Sequence, residues 1–291
     1  MKTKENIYGY IFISPWLLGF IFLSIGPMVM SFLFSFTDYD YFSPLRFVGL
    51  SNYEEIIFRD DLFHNAIVVT SRYVLLYVPL RIVFALLLAV LLNQKIRGMH
   101  FYRTIYYLPS ILGGGVAVSV MWQMLLSRDG AVNALLKVFG INGPNWLANP
   151  RTALYAIVIM SCWAFGSAMV IFLAGLKGIP DELYEAASVE GATPVRQFFY
   201  ITLPLLSPVI LFNLVMSLIN GFQVFTQAFI MTNGGPLNAT RFYVLYLYQN
   251  AFQYFRMGYA SALAWILFFI IMVFTLLIFR SSAFWVHYQN M

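Results

Sequence analysis

The chain has 291 residues, of which 61% are hydrophobic, 19% aromatic and only 10% charged, with a formal net charge of +5 and a mean hydropathy of +0.77. A soluble domain carries about a quarter charged residues, and that class is excluded. In so apolar a chain the positive balance points to lipid headgroups and cytoplasmic loops rather than to nucleic acid.

Charge-free runs set the elements. There are 32 uncharged residues between Glu5 and Asp38, 24 between Arg103 and Arg128, 25 between Arg151 and Lys177, and 23 between Arg256 and Arg280. A membrane-crossing helix needs about 20 mostly apolar residues. The pattern predicts an all-α membrane protein, a single transmembrane domain over 1–291 with six transmembrane helices. These cover about 8–36, 66–92, 104–126, 152–176, 205–231 and 257–280. The first run is about twice a signal-peptide core and ends in bulky residues, so it reads as a retained span. Arg72 and Arg81 interrupt the second. Three consecutive glycines, 113–115, predict close backbone packing in the third. The 44 uncharged residues between Arg196 and Arg241 count as one span, because Pro204, Pro208 and the turn signal TNGGP (232–236) bracket a single apolar core.

Orientation follows the basic residues of short loops. Lys2 and Lys4 place the N-terminus inside, and Lys95, Arg97 and Arg103 place the loop between spans two and three inside. With six spans both termini are cytoplasmic. The loop after span one holds Arg46 and Arg59 among six acids and goes outside. Outer loops of about 25–30 residues are too short for a core of their own, so a ligand captured outside arrives on another protein. The one cysteine, Cys162, and the dispersed His64, His100 and His287 form no disulfide or metal spacing. No nucleophile–base pair is visible, which predicts a chain without catalysis.

The segment before the fifth span, 180–204, is the polar exception. Pro180 suits a first helical position, and Asp181 and Glu182 suit the positive end of the dipole. Gly191 supplies a left-handed stop. Thr193 then caps a second helix with Pro194 in its first turn. The prediction is two short helices at a bend on the cytoplasmic surface, with Asp181, Glu182, Glu185, Glu190 and Arg196 facing out. Such a pair is either an ordinary interfacial connector or an element shaped for a groove on a partner.

Glu185-Ala186-Ala187, three residues, Gly191, nine residues, then Ile201-x-Leu203-Pro204 resembles the EAA motif of ABC importer permeases, without a gap. FISPWLLGFIF (12–22), FYRTIYYLPSILGGGVAVSVMW (101–122), TNGGP (232–236) and YASALAW (259–265) resemble the carbohydrate branch of that family, the maltose-transporter type. TNGGP points to the first of its two permeases. The resemblance implies a multi-pass protein of a bacterial or archaeal inner membrane, and a coupling helix that docks into a cleft of a cytoplasmic ATPase. Glu185 would meet basic groups there, with Ala186, Ala187 and Gly191 allowing close approach. It also implies a second homologous permease, two ATPase subunits and an extracellular or periplasmic solute-binding protein that delivers a sugar. The chain has no phosphate-binding loop and no Gly-Lys pair, so it is expected to hold no cofactor; ATP-Mg would sit on the ATPase.

Span five carries Asn213, Ser217, Asn220 and Gln227 within about 80° of one helical face, with Gln223 at the margin. This stripe is either interhelical packing or the lining of a transport path. By the resemblance, spans four and five line the sugar path, which singles out Trp163, Ser167 and Ser217, with Asn220 and Gln223 beside them. Arg81, beside Pro79 and well inside span two, either snorkels, pairs with the partner permease, or contacts an acidic sugar. A permease of the same superfamily for a glycerol-phosphate-like solute stays open. An ion-coupled secondary transporter would need carboxylates inside the spans, and none lies there.

Overall fold

The computed structural model describes residues 2–94, 97–113 and 115–287, with the backbone alone for 2–9. Lys95 and Gly114, which figured in the reading of the loops and of the third span, lie outside these residues. No strand occurs among the described residues, only an isolated bridge between Thr37 and Phe47.

In chain order, α1 (Lys2–Phe20) runs through a π turn at Ile21–Ile25 into α2 (Gly26–Phe34). Then come α3 (Ser51–Arg59) and the long α4 (Asp61–Leu92), which carries Pro79 in its interior. The third predicted span is not one helix. It is α5 (Met99–Leu112) and α6 (Val116–Leu125), bent by 104°. Gly113 and Gly115 therefore flank a break between two helices rather than lying within one. Gly113 takes φ +68, which Gly adopts at no steric cost. A Cβ on Gly115 would meet no atom within 4 Å.

After α7 (Ala131–Val138), the fourth predicted span is α8 (Ala153–Trp163) and α9 (Gly166–Lys177), bent by 45°. The polar segment follows as α10 (Asp181–Val189) and α11 (Pro194–Gln197), with a π turn at Phe198–Thr202 and α12 (Leu203–Leu205). The fifth predicted span divides into α13 (Ser207–Phe222) and α14 (Thr226–Met231). Last are α15 (Tyr243–Tyr248), a π turn at Gln249–Gln253, and α16 (Met257–Trp285). Among the described residues, four stretches are long and apolar enough to cross a membrane, and the two bent pairs would bring the number to six.

Proline explains the irregular backbone at 198–208. Pro204 has no N–H to give the turn before it, and the helix widens there to a π turn. Pro208 likewise cannot bond the Pro204 carbonyl, and Ser207 Oγ donates to that carbonyl instead, at 2.6 Å. At the other end of α4, Arg103 donates from Nε and Nη2 to the Leu92 carbonyl at 3.1 and 2.7 Å. A cation thereby closes the negative end of the helix.

The chain forms two compact units, residues 1–61 with 247–269, and 62–246 with 270–291. In the first, the buried Asn52 donates to the carbonyls of Ser35 and Thr37, each at 2.9 Å. Gly258 lies against the same strip, where a Cβ would come within 2.0 Å of the Thr37 carbonyl oxygen. Arg256 holds Glu55 bidentately at 2.8 Å and stacks 4.1 Å over the Tyr259 ring. Tyr259 donates to Asp60. The acid-rich stretch after the first span is thus partly neutralised within its own unit.

The second unit has a dense core where α4, α9 and the start of α13 meet, built on Ala85, Ala89, Met169, Phe172 and Leu206. Alanines and Gly175 let these helices approach closely; a Cβ on Gly175 would reach 2.8 Å from Val209 Cγ2. Tyr184, Phe198 and Ile201 of the polar segment pack against this core.

Candidate functional site

Tyr73, Tyr77 and Arg81 recur every four residues on α4, which sets them on one face. They form one wall of a cavity of about 350 Å³ in the second unit, within the roughly 300–1,000 Å³ common for small-molecule sites. Ser110 of α5 and Gly113 just after it, Trp163 of α8, Ser167 of α9, and Asn220 with Gln223 through Gln227 at the α13–α14 junction supply the others.

The helices lose their regularity where they meet this cavity. Gly113 ends α5, Ala164 lies in the α8–α9 bend, and Gln223, Val224 and Phe225 join α13 to α14. Pro79 interrupts the α4 ladder between Tyr77 and Arg81. Non-helical backbone at membrane depth is tolerated only where protein buries it or where it lines a wet cavity. Three breaks converging on one polar cavity, with Pro79 nearby in the continuous α4, follow that rule.

Arg81 is its sole charged group among the described residues. Nη1 donates to Tyr77 Oη at 2.5 Å and Nη2 to Ser167 Oγ at 3.1 Å, while Nε is buried with no hydrogen-bond partner. No carboxylate is among the described residues that line the cavity. A buried donor without a partner costs about 1–3 kcal/mol, more when charged. Tyr73 and Tyr77 stack with centroids 5.1 Å apart and planes 11° from parallel, and Trp163 packs edge-on against Trp122 at 6.0 Å. Ser110 Oγ accepts from the Ser167 backbone N–H at 3.2 Å, tying α5 to the first turn of α9.

Of the residues singled out from the sequence, Arg81, Trp163, Ser167, Asn220 and Gln223 all line this cavity, and Gln227 joins them. Ser217 does not. It is buried at 2% exposure in the packed part of α13, outside the lining. Asn213 is buried as well and donates back to the Val209 carbonyl at 3.0 Å. The predicted polar stripe is therefore two features. Asn213 and Ser217 are packing within α13, whereas Asn220 in its last turn and Gln227 beyond a break that ideal helical geometry ignores are cavity wall. Tyr73, Tyr77, Ser110, Ser161 and Thr226 line the cavity without having been anticipated. The four-residue recurrence of Tyr73, Tyr77 and Arg81 was the available signal for two of them.

In the polar segment, Pro180 is the N-cap in extended backbone rather than the first helical residue, and Asp181 opens α10. Gly191 takes φ +79. Thr193 Oγ1 accepts from the Arg196 N–H at 3.4 Å. Gln197 braces the bend, donating from Nε2 to Ser188 Oγ at 2.8 Å and to the Tyr184 carbonyl at 3.4 Å. Tyr184 and Thr202 share a hydroxyl bond of 2.9 Å. Asp181, Glu182, Glu185, Glu190 and Arg196 are exposed, as are Ala186 and Gly191, while Ala187 is half-buried. Val189 is 90% exposed at the tip. Inward side chains thus hold a rigid bend whose outer face is free.

Comparison with known proteins bears on both features. Residues 65–286 match the family described as binding-protein-dependent transport system inner membrane component. The probable ABC transporter permease protein YesP of Bacillus subtilis (strain 168) is 49% identical over 290 residues, covering 99% of this chain and 94% of that protein. The arabinooligosaccharides transport system permease protein AraP of Halalkalibacterium halodurans is 36% identical, covering 93% and 86%. The trehalose/maltose transport system permease protein MalF of Thermococcus litoralis is 31% identical, covering 98% and 96%. Among solved structures, a bacterial ABC transporter involved in the import of the acidic polysaccharide alginate superposes with a TM-score of 0.83 at 23% identity, covering 97% of each chain. That likeness concerns the fold. With the family model matched across most of its length and relatives of 31–49% identity covering nearly all of it, the chain belongs to the binding-protein-dependent inner membrane components, the permeases of ABC transporters.

Proposed function

We propose that the chain is one of two permease subunits of an ATP-driven carbohydrate importer, and that the cavity beside Arg81 is part of the path of the saccharide. The observation that carries this reading is the convergence of three helix breaks on one cavity lined by hydroxyls, amides and aromatic side chains. Those groups suit a sugar, whose hydroxyls need hydrogen-bond partners and whose ring needs a flat apolar face. Relatives that carry arabinooligosaccharides and trehalose or maltose support the substrate class.

In this reading all six predicted spans cross the membrane, α5–α6 and α8–α9 as broken spans, and both termini are cytoplasmic. Residues 180–204 are the coupling segment. Glu185, Ala186, Ala187 and Gly191 present its outer face to a cytoplasmic ATPase, which carries the ATP-Mg that this chain does not bind. A solute-binding protein loads the outer face. Closure of the two ATPases draws the coupling segments together, and the spans rock around the cavity.

The test uses the full complex in proteoliposomes. Cys162 is replaced by Ala and Asn220 by Cys, and a membrane-impermeant maleimide is added with and without ATP. Labelling should depend on nucleotide state and be slowed by saccharide-loaded binding protein. Labelling unaffected by either would refute the path.

A further inference from the structure

We propose that Arg81 reads a carboxylate on the transported saccharide, so that this permease selects uronic-acid-type, anionic sugars over neutral ones. The inference rests on the cavity being the carbohydrate path.

Arg81 does not sit where a cation could snorkel. α4 has 32 residues, and Arg81 lies 11 residues from its nearer end, about 16 Å along the axis. Its guanidinium turns inward and is held by Tyr77 on its own helix and Ser167 on α9. Both partners are neutral hydroxyls, so they orient the charge without balancing it. The cavity wall contains no carboxylate among the described residues. A half-buried guanidinium whose cavity supplies no counter-ion is costly unless an anion joins it.

The donor count agrees. Guanidinium has five N–H groups in a planar fork. Nη1 and Nη2 each make one bond within the chain, and Nε makes none. N–H groups are left for an oxyanion, and a fork of this kind matches the two oxygens of a carboxylate. The rest of the wall fits the remainder of a sugar acid. Tyr73 and Tyr77 stack on each other and are buried, and the half-buried Trp163 is the ring that the wall offers. Asn220 and Gln223 are exposed amides. A lone cation in a low-dielectric cleft also concentrates anions there. A neutral sugar would use the rings and amides but leave the charge unbalanced.

The experiment reconstitutes the full complex, with partner permease, ATPases and binding protein, and measures uptake for a panel of uronate-containing di- to tetrasaccharides. Each is compared with its carboxyl-reduced neutral form and with a phosphorylated counterpart. In the wild-type complex the uronate form should be taken up best. Arg81→Gln should lower its uptake by at least about tenfold while changing uptake of the neutral form less than about threefold. Arg81→Lys, which keeps the charge but not the fork, should recover part of the loss. Equal loss for charged and neutral forms would make Arg81 a structural residue and overturn the proposal, as would no loss. Preference for the phosphorylated form would overturn the carboxylate assignment. Should Arg81→Gln fail to assemble, the wild-type order of preference still decides, since a preference for the neutral form refutes the proposal. A wild-type complex that takes up none of these forms would instead refute the carbohydrate path, and the role of Arg81 with it.

Discussion

Gly166→Ala is the substitution for which chain pattern and tertiary structure predict opposite signs. Gly166 opens α9, and in a helix Ala is about 1 kcal/mol better than Gly, so helix propensity alone predicts stabilisation. In the folded chain a Cβ at Gly166 would lie 2.7 Å from Ser110 Oγ, 3.0 Å from the Tyr106 carbonyl oxygen and 3.1 Å from Tyr107 Cα. Ser110 Oγ could rotate away, but the other two contacts are α5 backbone. Parting the helices by the required few tenths of an ångström costs about 1–3 kcal/mol. Displacing Ser110 also weakens its bond from the Ser167 N–H, at about 1 kcal/mol. The net expectation is about 1–3 kcal/mol of destabilisation, or a melting temperature lower by several degrees at about 2–4 °C per kcal/mol. Gly19→Ala is the control, because nothing lies within 4 Å of a Cβ there. Cys162, the single cysteine and half-buried in α8, reports unfolding of this subunit through reaction with a thiol-specific dye in the detergent-solubilised complex. A Gly166→Ala protein melting at or above wild type, with Gly19→Ala equally neutral, would refute the α5–α9 approach and the wall of the cavity it builds.

Other outcomes follow from the same structure. Glu185→Lys should leave the subunit inserted and assembled yet abolish saccharide-stimulated ATP hydrolysis, and stimulation equal to wild type would count against the coupling role. Asn220→Trp should plug the cavity and stop uptake with membrane yield unchanged, whereas Ser217→Trp, inside packed α13, should lower the folded yield; the reverse pattern would misplace both. Asn133→Ala removes bonds to the carbonyls of Arg128 and Pro144 and from Trp146 Nε1. It should cost about 2–3 kcal/mol locally and open residues 127–152 to limited proteolysis. The Asp40 carboxylate accepts from the backbone N–H groups of Phe42 and Ser43, which hold its pKa below the ordinary 3.8. A depressed folded value means the turn gains stability that is present above 3.8 and lost as pH falls through the folded pKa. NMR titration of that carboxyl should find a midpoint under 3.8, and a midpoint at or above it would sink the assignment.

How much was legible depended on the range of the force involved. Membrane residence and the location of the apolar runs were readable because lipid acts on composition over about 20 residues, whatever the neighbours. The bend at 180–204 was readable because its devices are local. Pro194 and Thr193 start a helix and Gly191 ends one, and each works within a turn. The Gln197 brace was not, because it needed the two helices already folded against each other.

The site itself was half visible. Arg81, Asn220 and Gln223 stood out as polar side chains in apolar runs, since lipid penalises such groups wherever they fall, while Trp163 and Ser167 came only from the resemblance that marks spans four and five as the sugar path. Which of them share a space was another matter. Ser217 and Asn220 are three residues apart on one helical face, yet one is sealed in packing and the other opens on the cavity. The difference lies in what α9 and α4 bring alongside. The break at 223–225 has no glycine or proline to announce it, so extrapolating the helix through it put Asn213 and Gln227 on one stripe. Even the triple glycine was misread, because a glycine run permits both close packing and a sharp turn, and only the neighbouring helices choose. The amino-acid sequence thus settles which segments leave water and where the backbone is free to bend, through hydrophobicity and local dihedral preference. Tertiary packing alone decides where three such breaks meet, and that meeting turns an isolated arginine into the charged centre of a cavity.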